Sequence, residues 1–289
     1  MSEAISVTGL CKRYGDQVAV DAVSFAVQQG ETFGVLGPNG AGKTTTLEMI
    51  EGLRRPDAGE VTVLGQPVWP EPRRIQTRIG VQLQSTALFD ELTARELLVL
   101  FARFYGLADA ATRAQRALEL VGLEGKADAY AEVLSGGQQQ RLAIALALVH
   151  EPEIVFLDEP TTGLDPQARY NLWRVIRAIG REQGRTVVLT THYLEEAEQL
   201  CDRVAIMDGA RIVALDSPTG MIAALGSQSR LSYSDQAGEH VAYSDDAERA
   251  VLEILERARA EGGAISNLSV RRASLEDVFL RLTGHEFRE

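Results

Sequence analysis

The chain has 289 residues, 45% of them hydrophobic, enough for one large domain or a large plus a small one with an ample core. A formal net charge of −12 and a pI of about 4.9 weigh against general affinity for nucleic acid, so no nucleic-acid partner is expected. No stretch reaches the roughly 20 apolar residues of a bilayer span, no leader is read at Met1-Ser2-Glu3-Ala4, and Cys11 and Cys201 stand apart, so a chain soluble when isolated, in a reducing compartment, is expected.

Residues 5–30 alternate and are rich in Val, with turn signals at Tyr14-Gly15-Asp16 and Gln28-Gln29-Gly30, which predicts two or three antiparallel strands. Tyr14 stands at a loop tip; taken alone it reads as an ordinary exposed aromatic, the alternative being a ring on which a base stacks. An apolar run over 32–36 reads as a buried strand. It leads through Gly37-Pro38-Asn39-Gly40-Ala41-Gly42-Lys43-Thr44 into a helix over 45–50 that stops at Gly52. Strand, glycine loop, Lys-Thr and helix make a phosphate-binding P-loop: backbone N–H groups turn inward around a polyphosphate, and the helix N-terminus adds its dipole. Lys43 then neutralises β- and γ-phosphates, and the Thr44 hydroxyl ligates Mg²⁺.

Residues 60–64 and 66–68 predict a hairpin, and 78–84 a strand running into a polar loop. Between Thr93 and Gly122 the apolar spacing turns helical, with Leu97, Leu98, Leu100, Phe101 and Phe104 on one face and Ala114, Ala117, Leu118 and Val121 on another. Ser135, Gly136 and Gly137 open a further helix over 139–150, a second helix start suited to an anion or simply an N-cap. The run Ile154-Val155-Phe156-Leu157-Asp158-Glu159 predicts a buried parallel strand that delivers two carboxylates at its C-terminal end, where open α/β sheets bind ligands and where a P-loop protein expects its Mg²⁺ acid. Asp165-Pro166 caps the next helix, and the strand over 186–191 ends at His192, on the same sheet edge as the two acids.

Strands follow over 204–207 and 212–215, then a short helix near 218–225. Gly226-Ser227-Gln228-Ser229 is the expected domain boundary. Beyond it the pattern reads strand (231–233 or 241–243), helix (247–259), strand (265–270) and helix (275–282), with Ser274-Leu275-Glu276-Asp277 as a capping box.

In combination these residues resemble the nucleotide-binding subunit of ATP-binding cassette (ABC) transporters. The motifs occur in order: Walker A at 37–44, Q-loop Gln84, the signature Leu134-Ser135-Gly136-Gly137-Gln138, Walker B ending at Asp158-Glu159, the D-loop Gly163-Leu164-Asp165 and the switch His192. The resemblance implies an α/β fold, a P-loop ABC ATPase cassette over 1–225 with a mixed central sheet, an N-terminal antiparallel β lobe and a helical insert at about 88–150. A small C-terminal α/β appendage would occupy 226–289. It implies ATP and Mg²⁺ as ligands, with Tyr14 stacked on adenine. The loop Gly37, Pro38, Asn39, Gly40, Ala41, Gly42, with Lys43, Thr44 and Thr45, would hold phosphates. Thr44, Gln84 and Asp158 would serve the metal. Glu159 would polarise the attacking water, and His192 would hold the γ-phosphate. Ser135, Gly136, Gly137, Gln138 and Asp165 would reach ATP across a dimer interface.

Partners implied are a second nucleotide-binding subunit, as a homodimer, and separate transmembrane permease subunits contacted through Gln84 and residues 93–106. The place implied is peripheral, on the cytoplasmic face of the cell membrane. The tail Ser274-Leu275-Glu276-Asp277-Val278-Phe279-Leu280 with Leu282-Thr283-Gly284 looks like the drug-resistance-type (ABC type 2) exporter branch, as does Thr161-Thr162-Gly163-Leu164-Asp165-Pro166. Asp216 departs from it where Gly is common. A soluble ABC ATPase acting on ribosomes or DNA fits less well with one cassette and an acidic balance. A P-loop kinase or GTPase fits neither the signature nor the lack of an Asn-Lys-x-Asp guanine reader.

Overall fold

In a computed structural model, describing residues 2–84, 88–225, 229–235, 238–260 and 263–284, the Val-rich N-terminal segment forms two 12-residue strands, β1 (Glu3–Tyr14) and β2 (Gln17–Gln28). The apolar run becomes β3 (Thr32–Leu36), buried at every residue, and runs through the glycine loop into α1 (Lys43–Ile50). β4 (Ala58–Val63) and the short β5 (Gln66–Pro67) then join the N-terminal lobe as a four-stranded antiparallel sheet, ordered β2-β1-β4-β5. A single turn, α2 (Arg73–Gln76), precedes β6 (Ile79–Gln82).

The helical region contains α3 (Ala94–Phe104), α4 (Ala110–Leu120) and α5 (Gly136–Leu148). Thr93 starts α3 with a capping box closed by Glu96. α3 and α4 pack on each other and on α5, whose Ala/Leu/Ile side also lies against β6 and β7 (Ile154–Asp158). The insert is therefore two helices held by a third that returns the chain to the sheet. After β7 come α6 (Pro166–Arg177), β8 (Thr186–Thr191), α7 (Leu194–Leu200), β9 (Arg203–Asp208) and β10 (Arg211–Asp216).

The central sheet runs β10-β9-β3-β8-β7-β6, with β9, β3, β8, β7 and β6 parallel. Only Gly209 and Ala210 separate β9 from β10, too few for a parallel crossover, so the sheet is mixed, as expected. One continuous core links the lobe to this sheet, and the Phe25 and Phe33 rings stack across the junction at 5.1 Å. Gly80 lies where a Cβ would strike the Ala147 carbonyl, which sets how closely α5 approaches β6.

The backbone divides into two compact units between Leu215 and Asp216. The second holds α8 (Pro218–Ala223), β11 (Ser229–Asp235), β12 (Gly238–Ser244), α9 (Ala247–Ala260), β13 (Ser266–Arg272) and α10 (Leu275–Thr283). Both candidate first strands form: β11 pairs antiparallel with β12 on one side and β13 on the other. α8 packs on α10, and Arg281 Nη1 donates to the Leu225 carbonyl at 2.9 Å, which puts α8 in this unit. The break expected at 226–229 falls mainly on 226–228, outside the described residues. Buried Asp277 organises the unit: it closes the Ser274 capping box and accepts from Arg271 and the Tyr243 hydroxyl. Among the described residues no helix is long and apolar enough to cross a membrane.

At the end of α1, Glu51 is only 2% exposed. Burial, with repulsion from Asp158 and Glu48, pushes its carboxyl up from 4.5 to about 8. Between those values the folded protein keeps a proton that the unfolded chain releases, so stability falls as pH rises, by up to about 1.4 kcal/mol per pH unit. Glu51→Gln is therefore expected to stabilise the protein at pH 8 and to lose that advantage as pH falls towards 4.5. Urea unfolding followed by tryptophan fluorescence at several pH values reads this; an equal gain at every pH would remove the proton as its cause.

Candidate nucleotide site

The C-terminal ends of the parallel strands converge on the P-loop. Gly40 (φ 81°) and Gly42 (φ 99°) occupy left-handed backbone that lets the loop curl, and a Cβ on Gly42 would strike the Ala19 carbonyl. Asn39 and Gly40 form the exposed crest, Pro38 is half-buried, and Gly37 and Ala41 are buried beneath. Lys43, 4% exposed, turns back under the loop: Nζ donates to the Gly37 carbonyl at 2.8 Å and the Pro38 carbonyl at 3.2 Å. It also pairs with Glu159 Oε1 at 3.1 Å. Thr44 and Thr45 follow on the first turn of α1, both half-buried. The Thr44 hydroxyl donates to Asp158 Oδ1 at 3.2 Å.

Asp158 ends β7, and Glu159 leaves the strand with φ 46°, a strained conformation for a side-chain-bearing residue. Its backbone N–H donates to the Thr190 Oγ1 at 2.9 Å, and the same hydroxyl donates to Asp158 Oδ1, so one β8 side chain holds both acids. Glu159 Oε2 accepts from Thr162 at 3.1 Å, lies 3.1 Å from His192 Nδ1, and is reached by Gln84 Nε2 at 3.5 Å. The structure thus brings Lys43, Thr44, Gln84, Asp158, Glu159 and His192 into one cluster.

The two acids differ electrostatically. Burial raises the Asp158 carboxyl above its ordinary range, against the hydrogen bonds from Thr190 and Thr44. Burial would also raise Glu159, but the Lys43 ammonium, its hydrogen bond, and the partners around Oε2 outweigh it and hold Glu159 below its usual value. A buried carboxylate and the hydroxyl that donates to it are a fitting donor pair for Mg²⁺: the cation would favour the charged form of Asp158 that burial opposes. Among the described residues no group of three His, Cys, Asp or Glu could hold a metal, so phosphate and water oxygens must complete any shell around Thr44 and Asp158.

The remaining predicted residues lie elsewhere. Ser135 and Gln138 close a capping box on the first turn of α5, with Ser135 N donating to Gln138 Oε1 at 2.9 Å. Gly136 is exposed, and a Cβ on Gly137 would come within 2.9 Å of the Ala168 Cβ, so α5 and α6 start side by side. Asp165 N-caps α6 and accepts from Ala168 N at 2.9 Å. Signature and D-loop therefore form a second cluster whose hydrogen bonds close on their own helix starts. Tyr14 ends β1, 42% exposed, with the Arg54 guanidinium carbon 5.4 Å and Lys12 Nζ 5.9 Å from its ring centre. Sequence reasoning missed Thr190 and Thr162; their only local signal was a threonine among the apolar residues of β8 and another just past the Walker B acids.

Thr190→Val is expected to lower ATP turnover about tenfold, since losing a buried hydroxyl that serves two groups costs roughly 1–3 kcal/mol. It also removes one of the bonds that restrain Asp158, whose pKa then rises further, so the acid limb of the pH–rate profile moves to higher pH. Phosphate release measured across pH reads both effects; an unmoved limb would deny the bond to Asp158 its role.

A family model described as ABC transporter matches residues 20–162. The chain is 42% identical over 299 residues to a "Nod factor export ATP-binding protein I" of Burkholderia orbicola, covering 96% of each chain. Among solved structures it resembles cbiO1 from Clostridium perfringens, part of the ABC transporter complex cbiONQ, with a TM-score of 0.72, 28% identity, and coverage of 77% of this chain and 92% of that one. It also resembles a dimeric ATP-binding cassette in a post-hydrolysis state bound to ADP and Pi, with a TM-score of 0.67, 29% identity, and coverage of 74% and 98%. Full-length similarity, the cassette fold and the assembled nucleotide cluster agree: the chain belongs to the ATP-binding subunits of ABC transporters, ATPases that use ATP with Mg²⁺.

Proposed function

We propose that this chain powers a membrane exporter: two copies close around two ATP molecules, and hydrolysis lets them part. The observation that carries the reading is that the capping bonds of the signature and D-loop close on their own helix starts and not on the P-loop cluster. The P-loop cluster supplies an ammonium and carboxylates, while the α5 and α6 starts offer Ser135, exposed Gly136 and exposed Asp165 outside that cluster. Phosphoryl transfer needs charge stabilisation on several sides, and a second copy placed head to tail supplies the missing side. The dimeric cassette bound to ADP and Pi is consistent with this assembly.

In the proposed mechanism the Gly37–Thr44 backbone and Lys43 bind the phosphates, and Tyr14 stacks on the base. Thr44 and Asp158 would hold Mg²⁺, with Gln84 beside them, and the ion would offset phosphate charge. Lys43 exchanges its pairing with Glu159 for the phosphates, which frees the ionised Glu159 to orient and deprotonate water. His192, held at Glu159 Oε2, faces the γ-phosphate and reports its loss. Ser135, Gly136, Gly137, Gln138 and Asp165 act on the ATP of the partner subunit.

In this reading the path for cargo belongs to separate permease subunits, contacted through Gln84 and residues 93–106 at the cytoplasmic face of the membrane; among the described residues no helix is long and apolar enough to cross it. The relatives named for Nod factor export support the export direction, and the tail motif supports the type 2 branch. The proposed plan remains a cassette followed by a small C-terminal α/β appendage; the expected cut at 225/226 lies ten residues beyond the division into compact units after Leu215, because α8 packs on α10.

Tagged Glu159→Gln protein, with ATP and Mg²⁺ in detergent-solubilised native membranes, is expected to be trapped as a dimer with hydrolysis nearly abolished. A polytopic membrane protein should accompany it in about equal amount. Wild-type turnover would overturn the role of Glu159. Recovery of ribosomal proteins or DNA-bound factors without a membrane protein would move the assignment to a soluble ABC switch.

A further inference from the structure

The mechanism makes no use of a stacked group on the flank of the site. Arg169 lies on the first turn of α6, where its N–H donates to the Asp165 carbonyl at 2.9 Å. Its guanidinium carbon stands 4.0 Å from the centre of the Tyr193 ring. The Tyr193 ring in turn meets the His192 imidazole, with centroids 4.2 Å apart and planes tilted by 43°. His192 Nδ1 closes the series 3.1 Å from Glu159 Oε2. Beside them Glu196 is wholly buried and accepts from Trp173 Nε1 at 2.9 Å. Burial raises its carboxyl, against hydrogen bonds from Thr191, Thr161 and Trp173 and, more weakly, the charge of Arg169.

Arg169 Nε is buried with no hydrogen-bond partner among the described residues. An unpaired buried N–H is a poor choice for packing α6 on α7, where Leu or Met would serve without that penalty. What an arginine adds here is a flat cation against an aromatic face. We infer that Arg169 and Tyr193 form a positioning pair: the guanidinium fixes the Tyr193 ring, and the ring fixes the plane of His192 against Glu159. Arg169 sits one turn from Asp165, so displacement of the α6 start carries the cation with it. The orientation of His192 then follows the D-loop. The inference rests on the proposed roles of His192 and Glu159 in ATP hydrolysis.

Steady-state ATPase kinetics and thermal midpoints of full-length variants test it. Tyr193→Phe keeps the ring and is expected to stay within about twofold of wild type. Tyr193→Leu and Arg169→Met are expected to lower kcat about tenfold, with KM for ATP within about twofold, and the double variant to fall no further than Tyr193→Leu alone. Wild-type kcat in Tyr193→Leu, or losses that multiply in the double variant, would overturn the pair. If Tyr193→Leu does not fold, Arg169→Lys against Arg169→Met carries the test: the lysine is expected to recover part of kcat, and equal rates overturn the inference. Wild-type turnover in His192→Ala would instead overturn the reading of the site beneath it.

Discussion

Lys43 and Glu159 face each other at 3.1 Å with almost no exposure to water, and the arrangement around the nucleotide site depends on keeping that pair satisfied. Removing two charges from solvent is tolerable only when hydrogen bonds serve the remaining donors and acceptors. For Lys43 these are two carbonyls of its own loop; for Glu159 they are Thr162, His192 and Gln84. The partners issue from the ends of β3, β7, β8 and β6. A slip in the register of any of these strands would strand a buried charge, so the ion pair and the parallel sheet specify each other.

Adjacent carboxylates have opposite electrostatic fates at this edge. Asp158 continues the strand into burial and is raised; Glu159 breaks from it at positive φ, reaches the ammonium and is lowered. Two identical functional groups thereby acquire different chemistry from one backbone turn, one suited to a cation and the other to a proton from water. Thr190 holds both in place, which ties β8, and through it His192, to the Walker B acids.

The signature and D-loop residues follow a different logic. Their caps satisfy the first turns of α5 and α6 locally, and Gly137 lets those starts lie together, while their capping bonds do not reach the P-loop cluster of the same chain. A preformed donor surface of this kind suits a partner that arrives with its own phosphates, in keeping with the proposed dimer. In the second unit, Asp277 shows how a sequence motif can be structural: its carboxylate caps α10 and gathers Arg271 and Tyr243 from two strands.

Much of the site was legible along the chain because its parts are local: a glycine loop between strand and helix, acids ending an apolar run, a histidine ending another, and capping residues at helix starts. Hydrophobic period alone separated the buried parallel strands from the amphipathic helices α3 and α4. What the chain order did not contain was who meets whom. Thr190 and Thr162 acquire their roles only when β8 and the turn after β7 lie beside the two acids, and Arg169 finds Tyr193 only across packed helices. The tail hid its hairpin because β11 and β12 each read as a sufficient single strand, and the polar residues of both are explained only by pairing. Glu51 carries no local sign of its burial, yet it is almost wholly enclosed in the folded chain. Short-range stereochemistry and periodicity are written in neighbouring residues, whereas register, burial of charge and side-chain partnership are set by contacts that close only when the sheet assembles.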